Sequence, residues 1–224
     1  MIQVAEIESL IGEHMRRFKI SKDPWDIGEN LYTKTSIIFN PGLTVLVGCN
    51  GSGKTTLLRF IEEELRVNKI PVVTFNNLVD GGSNSMAEAG LFGDMRFVAT
   101  AALSSEGENI VMNLGKVASK IGAKIRKNSE AKELWILLDA VDSGLSIDNI
   151  IEFKQFLKDT IIAENKDKDI YIIASANEYE LCNDEKCFDV RNGRYMIFDT
   201  YNEYRAFILG SRVAKDKRIK QEAK

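Results

Sequence analysis

The sequence of 224 residues lacks the features that mark several specialised classes of protein. It has three cysteines, an odd number, and no secretory signal at its start, which favours a reducing compartment over a disulfide framework. No apolar run approaches about 18 residues, so no membrane insertion is expected. The net charge of −3 gives no bulk attraction to nucleic acid or membrane and leaves such contacts to local basic patches. We therefore expect a cytoplasmic protein.

What is present is an ordinary globular composition, with 44% apolar and 28% charged residues. The length suits one α/β domain, which we place at residues 1–210. The last ten residues carry five Lys or Arg against two acids. This excess predicts a basic, flexible tail over residues 211–224.

The most informative segment is residues 48–55, which read Gly-Cys-Asn-Gly-Ser-Gly-Lys-Thr, a complete phosphate loop. An apolar strand precedes it and a helix follows, so the positive N-terminus of that helix points at the phosphates. Lys54 can reach the β- and γ-phosphates, and the Thr55 hydroxyl can ligate Mg²⁺. The sequence therefore predicts ATP and Mg²⁺ as ligands, with nucleotide contacts from Gly48, Asn50, Gly51, Ser52, Gly53, Lys54, Thr55 and Thr56.

A second polar group is expected opposite the phosphate loop. Asp139 closes an apolar strand, so its carboxylate should emerge at the carboxyl edge of the sheet and hold the metal together with Thr55. Asn76, or its neighbour Asn77, ends another strand and is a candidate ligand of the metal or of a water. Trp25 and Tyr32 are candidates for stacking on the adenine ring, and each also suits a core position.

The remaining periodicity predicts strands that alternate with helices, which indicates a largely parallel sheet. The predicted strands cover residues 35–39, 43–47, 71–75, 134–139, 169–174 and 194–198. The predicted helices cover residues 7–18, 56–65, 109–127 and 149–162.

Three motifs in order resemble those of the ATP-binding-cassette (ABC) ATPases. Residues 48–58 look like the family's G-x-N-G-S-G-K-T-T-L-L, and residues 103–108, Leu-Ser-Ser-Glu-Gly-Glu, resemble its L-S-G-G-Q/E signature. Residues 137–146 are similar to L-L-D-E-P-x-S-G-L-D. The resemblance covers roughly residues 35–180. It implies a P-loop NTPase fold with a mainly parallel core sheet and a short antiparallel N-terminal β element.

The resemblance also implies a mechanism that needs two copies of the chain. In the family, two ATPase domains face head to tail, and the signature of one closes on the nucleotide of the other. Carried over here, Ser105, Gly107 and Glu108 would contact the partner's nucleotide, and ATP would hold a homodimer together. From the residues alone, Ser105 and Glu108 equally fit a helix capping box, and both roles are compatible.

The sequence departs from the family where hydrolysis is concerned. Ala140 stands where the family has the glutamate that polarises water, a change that costs on the order of 10²–10⁴-fold in rate. Asp142 is a candidate to compensate. Asn177 occupies the place of the family's histidine, and Glu178 beside it is a candidate base. The predicted catalytic set is therefore Lys54, Asp139, Asp142, Asn177 and Glu178.

Only 48 residues, 56–103, separate Thr55 of the phosphate loop from Ser104 of the signature, without heptads. This spacing leaves little room for a transporter-coupling domain and favours soluble SMC/RecF-like or small phage-encoded proteins. We expect an ATP-dependent dimer switch in DNA metabolism, such as repair, or in phage–host conflict, with a protein or DNA as a further partner. DNA contacts would use residues 116–120, 124–127 and the tail. A hydrolysis-deficient nucleotide sensor is the alternative, and an ATPase subunit of a membrane transporter is the weakest one.

Overall fold

The computed structural model describes residues 15–20, 31–76 and 106–222. Eight strands lie in these ranges: β1 Arg16–Lys19, β2 Ser36–Phe39, β3 Gly42–Val47, β4 Val72–Asn76, β5 Glu133–Asp139, β6 Asp169–Ser175, β7 Lys186–Asp189 and β8 Arg194–Met196. The helices are α1 Lys54–Val67, α2 Glu106–Lys127, α3 Ile147–Gln155, α4 Tyr179–Cys182 and α5 Tyr201–Glu222, and a π-helical segment, Phe156–Ile162, continues α3.

Six strands form one sheet in the order β4-β5-β6-β3-β7-β8. The first five strands in this order are parallel, and β8 pairs antiparallel with β7. Strand β6 therefore lies between β3, which leads into the phosphate loop, and β5, which ends at Asp139. The predicted α/β class with a mainly parallel core sheet is confirmed.

A separate two-stranded antiparallel sheet joins β1 to β2, with Arg16 opposite Phe39 and Lys19 opposite Ser36. This sheet is the predicted antiparallel element near the N-terminus. The successive predicted strands 35–39 and 43–47 do not pair with each other, because β2 pairs with β1 and β3 pairs with β6 and β7. The predicted helix over residues 7–18 was wrong at its C-terminal end, because Arg16–Lys19 form the strand β1. Residues 1–14 lie outside the described ranges.

The core lies on both faces of the large sheet because side chains alternate along its buried strands. From β5, Leu134, Ile136 and Leu138 pack on the face covered by α2, α3 and the π-helical segment. Trp135 and Leu137 pack on the opposite face, against α1. The carboxyl ends of the buried strands are thereby fixed at one edge of the sheet, where the polar residues lie.

Two elements differ from the sequence prediction in the C-terminal part. Strand β7 was not predicted, and the helix α5 extends from Tyr201 to Glu222. Residues 211–222 are thus helical, whereas the sequence predicted a flexible tail that begins at residue 211. None of the described helices combines the length and the apolar character that crossing a bilayer requires.

Candidate functional site

The phosphate loop connects the end of β3 at Val47 to the start of α1 at Lys54. Gly48 and Gly53 have φ values of 148° and 100°, which L side chains rarely adopt. A Cβ on Gly53 would lie 2.4 Å from Cδ2 of Leu31, and one on Gly48 would lie 2.5 Å from Oγ of Ser52. Gly53 is therefore closely packed against Leu31 and Gly48 against Ser52 within the loop, and with their positive φ values these two positions favour glycine.

Lys54 is the buried cation of the loop, with only 9% of its surface exposed. Its Nζ donates a hydrogen bond of 2.7 Å to the carbonyl of Gly48, across the inside of the loop. Burial lowers the pKa of Lys54, and the negative charges of Asp142 and Asp139 oppose that shift. A phosphate oxygen is a stronger acceptor than a carbonyl for such an ammonium group.

Asp139 is held at the carboxyl edge of the sheet by both neighbouring strands. Asn76 Nδ2, at the end of β4, donates to Oδ2 at 3.0 Å, and Ser175 Oγ, at the end of β6, donates to Oδ1 at 2.6 Å. Ser175 Oγ in turn accepts a hydrogen bond of 2.8 Å from the backbone N–H of Ala140. The predicted proximity of Asn76 and Asp139 thus follows from the parallel register, which places these two residues opposite each other.

Lys54, Asp139 and Ser175 face one cleft of about 490 Å³, a size typical of ligand sites. Its lining includes twelve residues from the loop, the start of α1, the ends of β5 and β6 and the turns after them: Asn50, Gly51, Ser52, Gly53, Lys54, Thr55, Thr56, Asp139, Ala140, Ser143, Ser175 and Asn177. Oγ of the buried Ser52 has no hydrogen-bond partner among the described residues. An anion bound by the loop would satisfy such a donor.

The donors at this cleft fit a nucleotide phosphate with a hard metal ion. Thr55 and Asp139 both line it and supply oxygen atoms, the ligand type that Mg²⁺ prefers. Within the described ranges, no cluster of three or more His, Cys, Asp or Glu suits a metal by itself. Mg²⁺ commonly keeps waters and takes phosphate oxygens beside one or two protein ligands, so two donors are compatible with it.

The other predicted catalytic acids are placed differently. Asp142 is 1% exposed, and its Oδ2 accepts the backbone N–H of Asn177 at 2.6 Å and that of Glu178 at 2.7 Å. Burial raises the pKa of Asp142, and these two hydrogen bonds oppose the shift. Neither Asp142 nor Glu178 lines the cleft, whereas Asn177 does. Asp142 therefore fixes the turn after β6 by binding two of its backbone N–H groups.

The predicted signature coincides with the start of α2, since Gly107 and Glu108 lie in its first turn. Ser105, Asn77 and Trp25 lie outside the described residues. Tyr32 is buried, and its hydroxyl donates a hydrogen bond of 2.8 Å to the carbonyl of Gly53, so it supports the loop from the core.

Helix α5 contacts the site and was missed by the sequence analysis. Ser211 Oγ accepts the backbone N–H of Cys49 at 3.2 Å, and Lys215 Nζ donates to the carbonyl of Asn50 at 2.9 Å. Tyr204 OH donates to the carbonyl of Asn177 at 2.7 Å. One helix thereby holds both the phosphate loop and the turn after β6. The sequence shows basic residues over 215–220, but their charge alone does not predict contacts of this helix with the phosphate loop.

Comparisons with known proteins agree with the geometry of the loop. Residues 30–62, which span β2, β3, the phosphate loop and most of α1, match the family model of an AAA domain. No curated protein sequence matches the chain significantly.

Among solved structures, the chain is similar to a nucleotide-free ATP-binding cassette from an ABC transporter, at 17% identity and a TM-score of 0.47 over 88% of this chain and 95% of that one. It is also similar to a second ATP-binding cassette of an ABC transporter, at 16% identity and a TM-score of 0.49 over 91% and 98% of the two chains. The complete phosphate loop and its matched family model support the ATPase character inferred from the sequence.

Proposed function

We propose that this protein is an ABC-type ATPase that acts as an ATP-dependent switch. The observation that carries the proposal is the convergence of Lys54, Thr55 and Asp139 on one cleft at the carboxyl edge of the parallel sheet. The loop N–H groups and the N-terminus of α1 would bind the phosphates of ATP. Thr55 and Asp139 would hold Mg²⁺, which when bound neutralises charge on the phosphate oxygens.

The residues around Asp139 support a role in orientation. Asn76 and Ser175 fix both oxygens of the carboxylate, so its direction toward the cleft is set before any ligand arrives. The turn after β6 is fixed in the same way, because Asp142 binds its backbone and leaves the Asn177 side chain at the cleft. Asn177 is our candidate for contacting the γ-phosphate.

Turnover should be slow, because no carboxylate follows Asp139 directly. Ala140 lines the cleft at the position of the missing base, with a left-handed φ of 52°. The nearby acids Asp142 and Glu178 do not line the cleft, which argues against either as a substitute base in this conformation. We expect a rate on the order of 10²–10⁴-fold below that of an enzyme with a positioned base.

The switch itself would be a head-to-tail homodimer closed by ATP. Gly107 and Glu108 at the start of α2, together with Ser105, which precedes the helix in the sequence, would contribute N–H groups to the nucleotide of the second copy. Slow hydrolysis would then open the dimer. DNA metabolism or phage–host conflict is the context we propose, with DNA bound through local basic segments, and DNA affinity should then fall as salt rises.

A nucleotide sensor without hydrolysis is the second candidate, and the observation that favours it is Ala140. In this case ATP would close the dimer and promote binding of a partner protein, and no turnover would be needed. The two functions predict the same ATP site and differ only in phosphate release.

The experiment is steady-state phosphate release together with light scattering, each with and without ATP and Mg²⁺. Wild type is compared with Lys54→Ala, Ala140→Glu and the control Lys120→Ala, which removes an exposed lysine of α2. Turnover that is lost in Lys54→Ala alone, with dimers that need ATP, supports the ATPase switch. Dimers without turnover, and turnover gained in Ala140→Glu, support the sensor. A wild-type chain that neither binds nor hydrolyses ATP would refute both.

A further inference from the structure

We propose that Lys215 of α5 is a phosphate-binding residue of the nucleotide site, contributed in cis from outside the phosphate loop. The inference rests on the proposed ATP site. It starts from the balance of charge at the site: among the described residues that line the cleft, Lys54 is the only cation, and Asp139 partly offsets it. A nucleoside triphosphate carries several negative charges, and one buried lysine together with the proposed Mg²⁺ still leaves part of that charge uncompensated.

The outer side of the loop supplies the missing charge. A small cavity there shares Gly51 and Ser52 with the cleft, and its lining includes the three cations Arg191, Lys215 and Arg218 and no carboxylate. Nη1 of Arg191 is buried without a hydrogen-bond partner among the described residues. The positive potential of this rim therefore meets the cleft at the loop itself.

Lys215 is the cation placed to reach the ligand. Its Nζ donates to the carbonyl of Asn50, a residue that lines the cleft, and lies 3.6 Å from where a Cβ on Gly51 would stand. Lys54 makes the corresponding hydrogen bond to Gly48 from the inside. Two ammonium groups thus bind carbonyls of the same loop, and a phosphate is the stronger acceptor for both.

The position of Lys215 is fixed by the helix that carries it. One turn earlier, Ser211 accepts the N–H of Cys49, and two turns before that, Tyr204 binds the carbonyl of Asn177. These contacts hold α5 along the rim of the loop, so only the flexible lysine side chain has to move to meet a phosphate.

The test measures ATP affinity by calorimetry in the presence of Mg²⁺. Lys215→Met keeps most of the side-chain length and removes the charge, and Lys217→Met is the matched control, since Lys217 is exposed and does not line the cavity. We expect Lys215→Met to weaken ATP binding about 10-fold, since the partial exposure of Lys215 to solvent weakens its attraction to a phosphate. Lys217→Met should change the affinity less than about 2-fold. Lys215→Arg should restore most of the affinity.

Thermal unfolding without nucleotide distinguishes the loss of a positive charge at the site from a loss of protein stability. If Lys215 binds phosphate, Lys215→Met unfolds near the wild-type temperature while its ATP affinity falls, and the arginine variant binds well. Equal ATP affinity in the Lys215→Met and Lys217→Met variants would overturn the inference, as would equally weak binding by Lys215→Arg and Lys215→Met. The proposed function is judged separately, by wild-type ATP binding that is lost in Lys54→Ala, and a wild type that does not bind ATP would overturn both proposals.

Discussion

Replacement of Ser175 by alanine tests whether Asp139 is held as the structure describes. The hydroxyl of Ser175, a residue with 1% of its surface exposed, donates to the Asp139 carboxylate at 2.6 Å and accepts the N–H of Ala140 at 2.8 Å. Ser175→Ala removes both hydrogen bonds and supplies no replacement. It leaves Asp139 with the hydrogen bond from Asn76.

The magnitude follows from these two losses. A hydrogen bond to a charged group contributes about 1.5–3 kcal/mol, and a buried donor left unpaired costs about 1–3 kcal/mol. The partial exposure of Ala140 lets water reach its N–H, and removing the serine hydroxyl avoids its own desolvation cost. We therefore expect the free energy of unfolding to fall by about 2 kcal/mol, which is below the roughly 2.5–6 kcal/mol that the two ranges add up to.

Urea unfolding measures this loss. With an m value of about 2 kcal/mol/M, the midpoint should fall by about 1 M. Ser119→Ala is the control, because Ser119 lies exposed on α2, where alanine is a better helix former. A loss below about 0.5 kcal/mol, no larger than the usual effect of a surface substitution, would refute the view that Ser175 supports Asp139.

Two other substitutions should change the stability of the protein in a direction that follows from the structure. Because burial raises the pKa of Asp142 above its ordinary 3.8, the native state binds the proton more tightly, so wild-type stability falls as pH rises from the ordinary pKa to the raised one. Asp142→Asn should remove that slope while its amide oxygen still accepts two N–H groups. Its urea midpoint should therefore gain on that of wild type as the pH rises above the ordinary pKa of 3.8, and a constant difference would contradict this. Gly53→Ala should destabilise the protein by about 1–3 kcal/mol and weaken ATP binding, because its Cβ meets Leu31 at a positive φ, and near-wild-type values of both would contradict the packing.

The elements that the sequence predicted well are those whose signal is local. Residues 134–138 form a continuous apolar run because β5 is buried on both faces, and the phosphate loop is a motif with fixed spacing. Asn76 and Asp139 were both predicted at strand ends, and they lie side by side because the ends of parallel strands meet at one edge of a sheet.

The elements that were missed depend on distant partners. Most of strand β1 was predicted as the end of a helix. Its four residues are extended because they pair with β2, and periodicity along the sequence does not reveal that partner. The orientation of Asp142 is set by the turn that starts at Ala140, whose φ of 52° no pattern in the sequence reports. Helix α5 carries polar residues around most of its surface, so its contacts with the phosphate loop follow from tertiary packing alone.

The position of β6 at the centre of the sheet has a consequence for the way the protein reaches its native state. Strand β3 pairs with β6, which lies more than a hundred residues later in the sequence, and β5 pairs with the other edge of the same strand. Contacts between such distant segments require large loops to close first, and they slow folding. Until β6 inserts, β3 and β5 leave the backbone N–H and C=O groups on their edges toward β6 unpaired, and their largely apolar side chains are exposed. Other chains can pair with these edges, so aggregation during refolding should decrease as the protein is diluted.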